Sequence, residues 1–171
     1  MGRSALACPR IVAVLPLLLL ASACDRQAAS SQQSSPAPTP AATTPTPAPL
    51  DVGALDERQN PDRVLRYYGA ALAAGDWQAA SRAWGAQSGV SGITLQAEYG
   101  AKGPVTLLPG KGTGEGACGS LYYEAPVTLR FDESGEQRTG TITLRRVNDV
   151  EGAAPDQLRW HIEGSTVGPA Q

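Results

Sequence analysis

Histidine occurs once in this 171-residue chain, as do phenylalanine and methionine, and cysteine occurs three times. One imidazole and scattered thiols offer no ligand spacing for a metal, so no metal site is expected. His161 also lacks a neighbour in sequence that would make it a positioned general base, which leaves it as a solvated or interface residue. Basic residues are sparse too. Of fourteen, all but Arg3, Arg10 and Arg26 follow Asp51, against sixteen acids of which only Asp25 precedes it. With no basic stripe and an excess of acids, nucleic acid is excluded as an expected partner. The glycine-rich "GKGTGEGACG" at residues 110–119 lacks the Gly-Lys-Ser/Thr ending of a phosphate-cradling loop, reads as a mobile loop between strands, and calls for no cofactor.

Long hydrophobic runs are missing as well. The one apolar run, residues 11–20, is interrupted by Pro16 and falls short of the ~20 residues that a spanning helix needs. Arg3 and Arg10 precede it without an acid, and Ala21, Ser22 and Ala23 follow it, which is the layout of an export signal. The segment "LLLLASAC" resembles the lipobox of bacterial lipoproteins, with Ala21 where leucine is usual. The resemblance implies that the leader, residues 1–23, is removed and that Cys24 carries a diacylglyceryl thioether and an acylated amino group. Asp25 then resembles the signal that retains such proteins in the inner membrane. Ordinary secretion with cleavage after Ala23, and an uncleaved leader, are the competing readings.

Residues 27–50, "QAASSQQSSPAPTPAATTPTPAPL", carry no charge and almost no bulky apolar side chain. Such a stretch buries too little surface to offset its ordering entropy, so residues 24–57 are expected to be the lipidated cysteine and a disordered tether. Its prolines favour an extended chain of about 3.1 Å per residue. With Cys8 lost and Cys24 acylated, Cys118 is left without an intrachain partner and is read as a small buried residue.

Mixed charge and periodicity begin beyond the tether, and residues 58–166 read as one domain. Asn60 and Pro61 make an N-cap and first helical residue; Val64, Leu65, Tyr68, Ala71 and Leu72 then recur on one helical face. Gly75 stops that helix, and Asp76 caps a second, "WQAASRAW", ended by Gly85. A further helical turn is expected near "TLQAEYG". In "LYYEAPVTLRF", Leu121, Tyr123, Val127, Leu129 and Phe131 share one parity and polar residues the other, which describes a strand with a dry and a wet face. "TGTITLRRV" answers it after the turn "DESG", "LRWHIEG" alternates Leu158, Trp160 and Ile162 with Arg159, His161 and Glu163, and "PVTLL" is a fourth strand. Helices followed by antiparallel strands make an α+β domain, with N-terminal helices packed on a curved antiparallel sheet.

That order, with "YYGAALAAGDWQAASRAW", "GSLYYEAPVTLRF" and "LRRVND", resembles the nuclear transport factor 2-like superfamily, the ketosteroid-isomerase-like or cystatin-like cone domains. The resemblance spans about residues 58–166 and implies a cavity between helices and sheet. Tyr68, Trp77, Trp84, Tyr99, Tyr123 and Trp160 are the candidate pocket residues, although aromatic residues at this spacing more often form a plain core. No carboxylate lies on the inward parity, so no catalytic residue is assigned. Tyr122, Glu124, Arg130, Arg145, Arg159 and His161 fall on the outward face, a candidate interface for an envelope protein or a second copy. The expectation is a non-catalytic binding domain held on the periplasmic side of the membrane. An isomerase- or dehydratase-like enzyme is the alternative, since a one-residue slip in strand register would exchange the two faces of the sheet.

Overall fold

The computed structural model describes residues 49–169. The expected leader, Cys24 and most of the tether lie outside the described residues. Packing begins earlier than residue 58: the 3-10 turn Val52–Asp56 places Ala54 and Leu55 in the core. Three α-helices follow, α1 (Pro61–Ala73), α2 (Trp77–Ser81) and α3 (Gly92–Tyr99). Each starts on a side-chain cap that satisfies an otherwise unpaired backbone N–H. Asn60 accepts from the Asp62 N–H, Asp76 from Ala79, and Ser91 from Thr94 in a capping box. Gly75, at φ +66°, breaks the chain between α1 and α2 with a backbone turn that a side chain disfavours. The second helix is shorter than its sequence pattern, because residues beyond Ser81 leave it to reach the sheet; the third is a full two turns.

Five strands form one antiparallel sheet: β1 (Val105–Pro109), β2 (Thr113–Ala117), β3 (Ser120–Phe131), β4 (Gln137–Val147) and β5 (His161–Ser165). The order is β1-β3-β4-β5, and β2 lies beyond β1 along the same edge of β3, opposite residues 120–124. The chain is therefore an α+β fold with an open antiparallel sheet. The glycine-rich segment read as a loop contains β2, whose five residues are all exposed and carry no apolar alternation. Cys118, expected to be buried, is exposed at the turn into β3 with φ +48°.

Alternation in β3 and β4 places the core where periodicity predicts it. Ala125, Val127, Leu129 and Phe131 from β3 meet Ile142 and Leu144 from β4 and Ile162 from β5, under Leu65, Tyr68 and Leu72 of α1. Each fully buried aliphatic or aromatic side chain contributes roughly 1.5–3 kcal/mol relative to exposure. Tyr68, Tyr99 and Phe131 are buried together with α3 residue Leu95. Tyr99 packs with its ring tilted against Phe131, centroids 5.9 Å apart, and donates its hydroxyl to the Val167 carbonyl at 3.1 Å, which fastens α3 to the chain beyond β5.

Two long-range features shape the end of the sheet. Ladder pairing runs Thr143 to Gly164 and then Leu144 to Ile162, so Glu163 is an extra residue, a bulge in β5. The outer edge of β5 is also covered. Gly85 N–H donates to the Ile162 carbonyl (2.9 Å), Ile162 N–H to Ala83 (2.8 Å), and Trp160 N–H to Glu57 (2.7 Å). Backbone groups that would otherwise template another chain are thereby paired within the domain.

Candidate functional site

Covering that edge creates a wall. Residues 82–88 rise beside the outward face of β4 and β5, and with the loop before β5 they enclose an open cleft of about 470 Å³. It opens at the polar residues of β4 and β5, and core residues Leu55, Trp84, Trp160 and Ile162 reach its floor. Leu55, Val147 and Trp160 supply apolar lining, and Arg82, Arg145, Arg159, His161 and Glu163 supply charge and hydrogen-bonding groups.

Arg145 is the best-positioned of these. Its Nε and Nη2 donate to the Ser120 hydroxyl at 3.3 and 3.2 Å, and Ser120 is the one buried polar residue among the described ones. The Tyr122 ring lies 5.8 Å from its guanidinium carbon, a cation–π contact. Its Nη1 lies 3.5 Å from Glu163. Glu163 also faces His161 Nε2 at 3.5 Å, while Nδ1 of that ring is 3.3 Å from the Arg159 carbonyl. The bulge thus gives one carboxylate two cationic or donor neighbours. Arg159 is held more loosely, with Nη1 at 3.4 Å from the Leu55 carbonyl and 3.8 Å from Asp56. Arg82 is exposed and makes no ion pair among the described residues.

The opposite wall fits closely against His161. A Cβ built on Gly85 would lie 2.5 Å from the ring carbon Cδ2 and 3.0 Å from Nε2, so only a residue without a side chain lets the loop approach.

The six aromatic pocket candidates separate. Tyr68 and Tyr99 are buried within the core, where loss of hydration raises both phenol pKa values far above the ordinary range and keeps them neutral. Trp84 stands edge-on to Tyr68 at 6.0 Å on its inner side, and with Trp160 it lines the outer cleft. Trp77 is half-buried, 6.4 Å from Tyr99. Tyr123, also half-buried, donates to Asp62 at 2.6 Å and ties β3 to the start of α1. Of the outward candidates, Tyr122, Arg145, Arg159 and His161 come together at or beside the cleft. Glu124 is exposed farther along the face, and Arg130 sits toward the far end of the sheet beside Asp132 at 3.2 Å.

Among the described residues the buried set holds no carboxylate, histidine, lysine or arginine. No cluster of three histidine, cysteine or acidic side chains placed to hold a metal occurs among them either. Sequence reasoning missed Arg82 and Ser120, which no local pattern marks. The chain matches no family model, no curated protein and no solved structure.

Proposed function

We propose that this protein is a periplasmic lipoprotein, anchored by acyl chains on Cys24, whose domain is a non-catalytic binding module of the cystatin-like cone type. The observation that carries the reading is the placement of His161. The one histidine faces outward, in an open cleft walled by arginines, while the interior between helices and sheet is occupied by neutral aromatic and aliphatic side chains. General acid–base chemistry in an interior cavity needs a group that exchanges protons near neutral pH, and the described interior offers no carboxylate, histidine, lysine or arginine, only tyrosines that burial keeps neutral. A positioned but solvated set of arginines beside a half-buried aromatic surface suits recognition instead.

Two acyl chains hold a protein stably on a bilayer, so the domain would act on the membrane-facing side of the envelope. Asp25 favours the inner membrane as its location. Cross-linking and recovery from intact envelopes tests the binding role. Arg145→Glu reverses the charge of the best-held cleft residue and is expected to remove most of the partners that the native chain captures; an unchanged partner set would refute a role for this face.

A further inference from the structure

Charge in the cleft is unevenly answered. Three guanidinium groups, Arg82, Arg145 and Arg159, line it together with the His161 ring. Glu163 is shared between Arg145 and His161 at 3.5 Å each. The other lining carboxylate, Asp156, makes no ion pair among the described residues and is exposed in the loop before β5. Arg159 reaches only a distant, solvent-exposed Asp56 at 3.8 Å, and such an exposed contact contributes little.

We propose that the cleft binds a small organic anion, a carboxylate carried on a compact apolar body. The inference rests on the binding-module reading and names the ligand of that site. A guanidinium presents parallel N–H donors that match the two oxygens of a carboxylate. Ser120 takes the Nε–Nη2 edge of Arg145 and Glu163 faces its Nη1, so the Nη1–Nη2 end, held in place by Ser120 and the Tyr122 ring, is the edge left for a ligand. Holding one arginine rigidly lowers the entropy lost on binding, while Arg159 and Arg82 remain free to swing onto the ligand. A volume of about 470 Å³ lies in the range of small-molecule sites, and half-buried Val147 together with the exposed fringes of the otherwise buried Leu55 and Trp160 gives an apolar surface for the body of the ligand. The open mouth beside residues 82–88 provides entry.

Benzoate, benzamide and the indole N–H resonances of the full-length protein in detergent micelles make the test. Trp84 and Trp160 line the cleft and Trp77 does not, so the three indole signals report where the probe sits. Benzoate is expected to shift the Trp84 and Trp160 signals saturably and leave Trp77 unmoved. Benzamide, the same shape without the charge, should bind at least tenfold more weakly. Arg145→Gln and Arg159→Gln should each weaken benzoate at least fivefold, whereas Arg66→Gln, on an exposed face of α1 outside the cleft, should leave it unchanged. Equal affinity for benzoate and benzamide, shifts confined to Trp77, or insensitivity to both cleft variants overturns the proposal. If Arg145→Glu loses protein partners in the envelope experiment while benzoate fails to bind, the small-anion inference falls and the binding-module reading stands. Specific benzoate binding without any protein partner supports the inference and removes the protein-interface part of that reading.

Discussion

Glu57 shows how one side chain can organise a junction. Its carboxylate accepts the backbone N–H groups of Gln59 (2.8 Å), Asn60 (3.1 Å) and Arg58 (2.9 Å), and the Arg63 guanidinium lies 3.2 Å away. The backbone donors, with Gln59 and Asn60 foremost and Arg63 adding to them, lower its pKa from 4.5 to about 2. A carboxyl whose folded pKa is depressed stabilises the fold fully above its unfolded pKa, and that contribution fades as pH falls from about 4.5 to about 2. Glu57→Gln should therefore cost about 1 kcal/mol at pH 7. Urea unfolding should show the gap between native and variant narrowing across that acid window; a gap independent of pH would refute the ionised nest. Gly85 makes a different demand. Alanine there would drive His161 from its place, since the added carbon would stand 2.5 Å from the ring. Gly85→Ala is expected to destabilise by roughly 1–3 kcal/mol through overpacking. A thermal melt and the His161 ring resonances both read the change, and an unshifted imidazole signal would show that the loop yields instead.

Elements in this domain are fastened to one another by a few polar contacts laid over the apolar core. Removing the Tyr99 hydroxyl leaves α3 packed but frees the buried Val167 carbonyl, so Tyr99→Phe should lower stability by about 1 kcal/mol with the fold retained. Hydrogen exchange should localise the loss to the chain following β5, and a uniform increase across α1 would contradict that assignment. Helices α1 and α2 and strands β1, β3, β4 and β5 were legible because caps and alternation are local signals: Asn60–Pro61, Asp76, and the odd-numbered apolar residues of β3; of α3 only a turn was expected, and its Ser91 cap went unread. Strand β2 was not legible. Its "TGEGA" is exposed throughout and owes its conformation to pairing with residues 120–124, a partner its own composition does not announce. Cys118 was misread for a related reason, since a small residue in a glycine-rich hairpin has no periodicity to show that it faces solvent.

At the scale of the whole molecule, the proposed architecture is an anchor, an extended tether and a binding domain. Mass spectrometry of the mature N-terminus should find Cys24 carrying the mass of three acyl chains and a glyceryl group; a free amine on an unmodified Cys24, or a start elsewhere, would sink the lipoprotein reading. Local sequence was sufficient for the α+β class, the starts of α1 and α2, the dry face of the sheet and the outward direction of His161, because hydrophobic period and capping chemistry act between near neighbours. It did not reveal the cleft. That site depends on residues 83–85 pairing with β5 and on a bulge that adds Glu163, contacts between segments nearly eighty positions apart. It depends equally on Ser120 seating Arg145 across two strands. Only the closed tertiary structure brings these groups together, since the energy that selects the pairing comes from burying Ile162 and Trp160 and not from any preference of the cleft residues themselves.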